Sequence, residues 1–494
     1  MQTNKVKKVV IVGGGTAGWV AAAGLSKQLG KLIDLELIES EQIGTVGVGE
    51  AAIPPMRTYH SLLGIDEQEF MRATQAVFKL GISFKNWGEV GDEYFHPFGS
   101  TGQSSFLADF QHFWLHGRSK GINYPFSDYS LESQAALAHK FATSKSGKIN
   151  FAYHLDATRY AFFLREFSEK LGLKRTEGKI QQVFQHPNGD IKSLQLESGD
   201  IIEGDLFIDC TGFHGLLIDK TLKTPYEDWT HWLPCDTAIA VQTESVDKPN
   251  PYVTCTAHQS GWQWHIPLQH RVGNGNVFSS QYMSIDEGRQ HLLDNVRGKT
   301  RTEPRVIRYQ TGRRKLFWNK NVIAMGLSSG FVEPLESTSI YLFMNGVIRL
   351  MRMFPFGGIT QSIINEYNAL SIAELENIRD FIILHYHVTS REDSEFWRYC
   401  KNMEVPDSLA HRIELFKESG YAFQGDGELF RLDSWLYVML GQGIMPKSYH
   451  SIFKTMTDAE LGGHLSHTRK VIAEAVKKLP SHEEFINYYC KTSP

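Results

Sequence analysis

The chain has 494 residues, enough for a large core and for more than one structural unit. Hydrophobic residues make up 41% and charged residues 21%, and the formal net charge of −4 gives no electrostatic footprint for nucleic acid or an anionic membrane. The five cysteines are scattered without CxxC spacing. We therefore expect neither a metal site nor a disulfide framework, and a cytoplasmic location fits.

The first forty residues predict a βαβ unit. A strand over Lys5–Val12 is followed by a glycine turn, a helix over Thr16–Leu29 and a strand over Asp34–Ile38. Glycines 13–15 interrupt the uncharged stretch Val9–Leu25, so we do not expect a membrane span there. No charged-then-apolar leader precedes the first strand, and no secretory signal is expected.

The turn itself carries a dinucleotide-binding fingerprint. Residues 13–18, GGGTAG, fit GxGxxG between a strand and a helix. Gly13 permits the tight turn, Gly15 lets the backbone approach a pyrophosphate, and Gly18 lets helix and strand pack closely. Glu39, 21 residues beyond Gly18, is placed to hold a ribose hydroxyl. The alternative is a glycine-rich turn that binds nothing.

Further along, the pattern changes from mixed to helical. A strand from Asp205 ending in Thr211-Gly212 is like a second element of large FAD-binding monooxygenase folds and favours FAD over NAD. The other predicted elements are a helix over Glu67–Lys79, loops over Gly91–Gly121, a helix capped by Asp156 and ending at Leu171, a hairpin at Asn188-Gly189, a strand-rich stretch over 235–310, and helices at 340–353, 371–385, 408–418 and 465–478.

These elements predict an α/β (α+β) chain in two parts. An FAD-binding, monooxygenase-like βαβ fold with an added sheet is expected over residues 1–350. A mainly helical unit that covers the substrate is expected over residues 351–494.

Five segments, in family order, resemble flavin-dependent tryptophan halogenases. They are Gly13–Leu25 (GGGTAGWVAAAGL), Thr45–Pro54 (TVGVGEAAIP, the flavin-contacting strap), Phe78–Ile82 (FKLGI, with the essential lysine), Trp262–Pro267 (the WxWxIP motif) and Phe331–Ile340 (FVEPLESTSI, with the glutamate and halide site). The C-terminal third agrees only loosely. The resemblance implies FAD used as FADH2, a halide co-substrate, a separate flavin reductase and an aromatic substrate, with a homodimer as one open arrangement.

The resemblance also implies roles for individual residues. Lys79 and Glu336 are the expected catalytic residues. The expected FAD contacts are Gly13, Gly15, Thr16, Ala17, Gly18, Glu39, Gly49, Glu50, Ala51, Ile180, Leu327 and Ile340. The expected halide contacts are Thr338 and Ser339. The expected substrate contacts are His96, Phe98 and Trp435. The expected barrier on the flavin side is formed by Trp262 and Trp264. No metal is expected.

The two catalytic candidates make chemical sense by themselves. Lys79 lies in the apolar run Ala76–Phe84, where burial favours a neutral amine that can capture or hydrogen-bond an electrophile. The alternative is a lysine on a helix face whose amine reaches solvent. Glu336 can take the proton lost from an attacked ring, and the alternative is an acid in a surface loop.

The anion and barrier candidates depend on the backbone. Thr338 and Ser339 can present backbone N–H groups to a halide. The family often has glycine at the position of Ser339; serine keeps the N–H group there but restricts φ. Trp262 and Trp264 alternate at strand spacing and should face one side. Core packing is the alternative for both; in the family, such tryptophans are thought to exclude the organic substrate from the flavin side.

The substrate candidates include one departure from the family. Phe98 is expected to stack on the aromatic ring of the substrate. For His96, a purely structural role is an equally good explanation. The stretch Asp433–Tyr437 has Trp435-Leu436 where tryptophan-specific members have a tyrosine pair. A simple indole or a larger indole-bearing product is therefore expected at least as much as free tryptophan.

The implied reaction begins with the oxidation of halide to hypohalous acid by FADH2 and O2. Lys79 then holds this acid by a hydrogen bond or as a haloamine, the ring attacks the halogen, and Glu336 assists proton loss. One alternative is an FAD-dependent aromatic hydroxylase, against which Lys79 and the WxWxIP motif argue. The other is a non-catalytic FAD-fold binding protein, against which Lys79 and Glu336 argue. Natural substrate, chloride or bromide preference, ring position and oligomeric state stay open.

Overall fold

The computed structural model describes residues 5–42, 49–143 and 149–492. Its strands, in chain order, are β1 Lys8–Val12, β2 Asp34–Glu39, β3 Gly49–Ala51, β4 Val77–Lys79, β5 Gly81–Lys85, β6 Glu93–Pro97, β7 Ala152–Asp156, β8 Lys174–Glu177, β9 Ile180–Gln185, β10 Ile191–Leu196, β11 Ile201–Glu203, β12 Leu206–Asp209, β13 Tyr226–Asp228, β14 Thr237–Thr243, β15 Tyr252–His258, β16 Gly261–Pro267, β17 Val272–Phe278, β18 Arg305–Arg308, β19 Gly312–Arg314, β20 Trp318–Asn319, β21 Val322–Ala324 and β22 Gly330–Phe331.

The α-helices in the same ranges are α1 Thr16–Leu29, α2 Pro55–Leu63, α3 Glu67–Thr74, α4 Phe110–Ser119, α5 Leu131–Leu137, α6 Ala157–Lys170, α7 Ile285–Asn295, α8 Ser339–Arg352, α9 Gln361–His387, α10 Glu395–Asn402, α11 Asp407–Ser419, α12 Leu432–Gly441, α13 Asp458–Lys477 and α14 His482–Tyr489. This mixture agrees with the predicted α/β (α+β) class. None of the helices in the described ranges is both long and apolar enough to cross a membrane.

Contacts divide the chain into two compact units built from interleaved segments. The first unit contains Met1–Ala76, Leu155–Asp236 and Arg308–Glu376, and the second contains Val77–His154, Thr237–Ile307 and Asn377–Pro494. The predicted division near residue 350 follows the change from strands to helices along the chain. The observed division differs because strands distant in sequence pair with one another.

A six-stranded sheet in the order β20-β21-β12-β1-β2-β8 forms the centre of the first unit. Strand β1 is parallel to both β2 and β12, with Val10 opposite Glu36 on one side and Phe207 on the other. Strands paired on both sides are largely apolar, as expected for a buried parallel sheet. The predicted βαβ unit is confirmed, and α1 has the predicted bounds.

A seven-stranded sheet in the order β18-β14-β17-β16-β15-β5-β6 belongs to the second unit. Strand β5 runs parallel to β15 and antiparallel to β6. Beside it, β4 pairs antiparallel with β7, and Lys79 lies opposite Ala152. The predicted strand-rich stretch over 235–310 supplies most of this sheet, with α7 as an additional helix.

The predicted helix over Glu67–Lys79 is wrong in its second half. Helix α3 ends at Thr74, and Gln75 takes a left-handed conformation with φ 52°. Val77, Phe78 and Lys79 then form β4, because β-branched and aromatic residues suit a strand that finds a partner. Lys79 therefore lies on a strand and not on a helix.

Two other predictions depend on local signals and have different outcomes. Asp156 caps α6 as predicted, accepting a hydrogen bond from the Arg159 N–H at 3.1 Å. The predicted loops over Gly91–Gly121 are partly wrong, because β6 and α4 lie within them. Helix α4 buries an aromatic face that includes Phe110 and Trp114, which the glycine and serine content of the region had obscured.

The packing of β16 on β17 yields a stability prediction. A Cβ at Gly275 would lie 2.0 Å from the ring of Trp264, directly across the strand pair. We expect Gly275→Ala to lower the free energy of unfolding by about 1–3 kcal/mol, since the ring has to move. Gly463→Ala is the matched control, because its Cβ meets no atom within 4 Å and alanine favours helix α13. Urea titrations of both variants measure the difference, and equal midpoints would contradict this packing.

Candidate functional site

The glycine turn of the first unit is a place of unusually close backbone approach. Gly13 has φ 110°, and a Cβ there would lie 2.4 Å from the carbonyl oxygen of Cys210 at the end of β12. A Cβ at Gly18 would lie 1.9 Å from the Gly13 carbonyl oxygen. These two glycines are thus required by the packing of α1 on the sheet.

Gly15 differs from its neighbours because it faces open space. A Cβ at this position meets no heavy atom within 4 Å. Gly15 is the N-cap of α1 and no side chain caps the helix, so its first N–H groups are left to a ligand or to solvent. Thr16 and Ala17 are half-buried beside it. This arrangement fits the pyrophosphate of the predicted FAD.

The carboxylate of Glu39 is held beside the same turn. One of its oxygens accepts a hydrogen bond from Arg175 Nε at 2.6 Å, and the other accepts one from Trp19 Nε1 at 3.3 Å. A Cβ at Gly14 would overlap this carboxylate. Glu39, the last residue of β2, therefore lies against the glycine turn, where a ribose contact is predicted.

The predicted flavin strap is only partly visible. Residues 45–48 lie outside the described residues, whereas Gly49, Glu50 and Ala51 form strand β3. Burial raises the pKa of Glu50 to about 7. Near neutral pH the Glu50 carboxyl can consequently either donate or accept a proton.

A cleft that opens to solvent lies in the first unit next to α1. Its lining includes Leu327, Phe331, Ser339 and Phe343. A Cβ at Gly326 would lie 2.7 Å from Cβ of Ala17, so the cleft wall contacts the start of α1. Leu327 thus has access to this space.

Two other predicted FAD contacts are packing positions. Ile340 is buried within α8. Ile180 packs against the apolar core that contains Val10 and Phe207.

The segment before α8 brings Glu336, Thr338 and Ser339 together. Glu336 is 1% exposed and ends a short 3-10 turn. Ser337 is left-handed (φ 60°, ψ 34°) and Thr338 is right-handed (φ −87°, ψ −10°), a succession that forms a concave set of N–H groups suited to an anion. The Thr338 hydroxyl oxygen is buried and has no hydrogen-bond partner among the described residues.

The expected φ restriction at Ser339 does not arise. Ser339 is the first residue of α8, and the unusual backbone conformation falls on Ser337 instead. Sequence reasoning missed Ser337, because serine is not among the residues that favour a left-handed conformation and the Ser-Thr-Ser run therefore gives no signal for it.

The structure places Lys79, the predicted catalytic lysine, in the second unit. It ends β4 and is fully buried. Its Nζ lies 5.0 Å from the centroid of the half-buried Phe98 ring, within cation–π range. Sequence reasoning missed His154, which β7 places on the same face of this strand pair and which is also fully buried.

The tryptophans of the WxWxIP motif lie side by side on β16. Trp262 and Trp264 are both buried, with ring centroids 6.0 Å apart. The prediction that they share one face is confirmed. Trp262 also approaches Trp87 at 6.4 Å, so the pair contributes to the core of the second unit.

The other predicted substrate residues differ in their surroundings. His96 is buried on β6, 5.8 Å from the Phe381 ring. Trp435 is 1% exposed, with Phe381 at 5.0 Å and the Arg412 guanidinium at 4.4 Å from its ring. Trp435 is consequently a core residue of α12, and only Phe98 is partly open.

Comparisons with known proteins agree across the chain. The tryptophan halogenase family model matches residues 8–458. The solved structure of Xcc4156, a flavin-dependent halogenase from Xanthomonas campestris, is 50% identical, covers 99% of this chain and 100% of that one, and superposes with a TM-score of 0.98. BrvH, a flavin-dependent halogenase from Brevundimonas sp. BAL3, is 41% identical over 99% of this chain and 100% of that one, with a TM-score of 0.95.

Among curated proteins, tryptophan 7-halogenase RebH from Lentzea aerocolonigenes is 34% identical over 438 residues, which are 84% of this chain and 82% of that protein. The chain belongs to the tryptophan halogenase family and is a flavin-dependent halogenase. The predicted family is confirmed, and the hydroxylase and binding-protein alternatives are not favoured.

The open space at Gly15 predicts a variant that separates cofactor binding from folding. Gly15 has φ −74° and ψ −179°, which valine tolerates, so Gly15→Val should keep the melting temperature of the cofactor-free protein. Its side chain should occupy the pyrophosphate position and remove measurable FAD binding. Gly18→Ala should instead lower the melting temperature, since its Cβ overlaps the Gly13 carbonyl. Calorimetric titration with FAD and thermal melts measure both effects. Unchanged FAD affinity in Gly15→Val would show that FAD does not bind at the glycine turn.

Proposed function

We propose that this halogenase uses FADH2, O2 and chloride or bromide to halogenate an indole ring through hypohalous acid held at Lys79. The observation that carries the proposal is the complete burial of Lys79 beside the half-buried Phe98 ring. An amine in that position can hold a small oxidant while an aromatic platform receives an aromatic substrate.

The residues of the glycine turn hold FAD, with Glu39 at the ribose and the β3 strap residues along the cofactor. When bound, reduced FAD would supply two of the four electrons that O2 accepts and halide the other two, so that one oxygen atom leaves as water and the other forms hypohalous acid. A separate flavin reductase supplies FADH2, since the sequence has no obvious second nucleotide fingerprint for NADPH. The scattered cysteines support a cytoplasmic location for this partnership.

The halide binds at the N–H groups of Thr338 and Ser339. The concave backbone at Ser337 and Thr338 supports this assignment, because such N–H groups bind anions. The buried Thr338 hydroxyl offers a further hydrogen bond to the anion. Trp262 and Trp264 form the barrier that keeps the organic substrate from the flavin side.

Halogen transfer is divided between Lys79 and Glu336. Lys79 donates a hydrogen bond to hypohalous acid, which polarises the oxygen–halogen bond as the ring carbon attacks the halogen. Glu336 accepts the proton that the attacked carbon loses. Removing either group affects transfer without affecting the oxidation of reduced flavin.

Phe98 stacks on the substrate ring, and His96 and Trp435 support that site from the core. Trp435 is covered by Phe381 and Arg412, and its Leu436 neighbour offers no hydroxyl to the backbone of an amino acid. Although RebH is named as a tryptophan halogenase, we propose a simple indole or a larger indole-bearing product for this chain.

Lys79 provides the sharpest test of this function. We expect Lys79→Met, which keeps the volume of the buried side chain, to consume FADH2 and O2 normally but to lose roughly 10³-fold in product formation. Glu336→Gln should be slower but less completely inactive, since solvent can accept the proton. Mass spectrometry of the product and oxygen-electrode traces measure the two steps separately.

The matched control for this test is Lys85→Ala, which removes a half-exposed lysine paired with Glu93 on the next strand. It should halogenate at the wild-type rate. Near wild-type halogenation by Lys79→Met, with unchanged ring position, would show that the assigned mechanism is wrong.

The substrate proposal makes a separate prediction. With FAD, a flavin reductase and bromide, indole should be halogenated at least as fast as free tryptophan, because Trp435-Leu436 replaces the tyrosine pair. Competition between equal concentrations of the two compounds gives the ratio directly. A strong preference for tryptophan would mean that another segment of the chain binds the amino-acid backbone.

A further inference from the structure

The pairing of β4 with β7 places His154 beside Lys79. Val77 lies opposite His154 and Lys79 lies opposite Ala152, so the side chains of Lys79 and His154 project from the same face of the strand pair. They are diagonal neighbours, about 7–8 Å apart in the backbone and within reach of a molecule held between them. Both side chains are fully buried.

The other face of this pair is filled by aromatic rings. Phe78 stacks on Phe141 with centroids 4.2 Å apart and meets Phe151 at 5.5 Å. This packing holds β4 in register, so the two polar side chains cannot turn away from each other without a shift of the strand.

The protonation state of the His154 ring follows from its contacts. Nδ1 lies 3.1 Å from the Pro267 carbonyl oxygen, which can only accept, so Nδ1 carries the proton and donates it. Nε2 is then a bare acceptor, and it has no hydrogen-bond partner among the described residues. A buried acceptor without a partner is costly, which indicates that a ligand with a donor group completes it.

The surroundings keep this ring neutral. The pKa of His154 lies well below its ordinary value because the ring is buried and because Lys79 and, to smaller extents, His482 and His265 oppose a further positive charge. His154 consequently stays an acceptor at neutral pH and is not a general acid.

We infer that His154 is a second contact for the oxidant, its Nε2 accepting a hydrogen bond from the O–H of hypohalous acid held at Lys79. The inference rests on the proposed function. Because the hydrogen end of the acid points to His154, the halogen end points away from it. During transfer the oxygen–halogen bond breaks as the carbon–halogen bond forms, which releases hydroxide. The C–H bond of the attacked carbon then breaks, and its proton, taken up by Glu336, is passed to the hydroxide, which leaves as water. Lys79 ends the step in the protonation state in which it began. His154 neither gains nor loses a proton.

The test uses two amide variants that separate the two ring nitrogens. His154→Asn keeps an N–H near the Nδ1 position for Pro267 but removes the acceptor at Nε2, whereas His154→Gln places an amide oxygen near Nε2. In the full-length enzyme with FADH2 and bromide, we expect His154→Asn to oxidise flavin normally. The amount of hypohalous acid captured by an added scavenger, relative to product, should rise about tenfold, the effect of one lost hydrogen bond. His154→Gln should restore part of the wild-type ratio of scavenged acid to product.

A second measurement does not depend on turnover or on the folding of a variant. In histidine-labelled wild-type protein, nitrogen NMR should show His154 as a neutral ring with the proton on Nδ1 at pH 7. A proton on Nε2, a charged ring, or an unchanged ratio of scavenged acid to product in a folded His154→Asn overturns the inference. If wild-type enzyme makes no halogenated product, or Lys79→Met retains it, the proposed function itself is wrong.

Discussion

The close approach of α1 to the ends of β1 and β12 is the constraint on which the first unit depends. A single added methyl group at Gly13 or Gly18 would overlap a backbone carbonyl oxygen, so α1 can occupy this position only with glycine at both places. That position in turn presents the helix N-terminus to open space at Gly15 and brings Ala17 against Gly326 of the cleft wall. The glycine turn, residues 13–18, therefore determines both how α1 packs on the sheet and how open its N-terminus is.

Several features of both units could be predicted because their determinants are local. The bounds of α1 follow from a glycine turn and an apolar run, the start of α6 from the Asp156 cap, and the shared face of Trp262 and Trp264 from the two-residue period of a strand. Each signal lies within a few residues of the structure it specifies. The chemical roles proposed for Lys79 and Glu336 rest on family resemblance and, for Lys79, also on its place in an apolar run of the sequence.

The remaining features could not be predicted because they depend on partners distant in sequence. Val77–Lys79 has the composition of either a helix end or a strand, and its pairing with β7, more than seventy residues later, decides the outcome. The same pairing brings His154 to Lys79, which no spacing rule reveals. Core packing of Trp435 against Phe381 and Arg412 likewise depends on three separate helices.

The interleaved topology has a consequence for synthesis of the chain. Strand β1 pairs with β12 about two hundred residues later, and β12 pairs with β21, which ends at Ala324. At ribosomal speeds of roughly 5–20 residues per second, the first strand waits on the order of tens of seconds for the last strand of its sheet. The second unit waits longer, because Phe78 packs against Phe485 in α14. Neither unit can be excised as one continuous fragment, and a chain shortened by α14 exposes the aromatic face beneath Lys79 to aggregation.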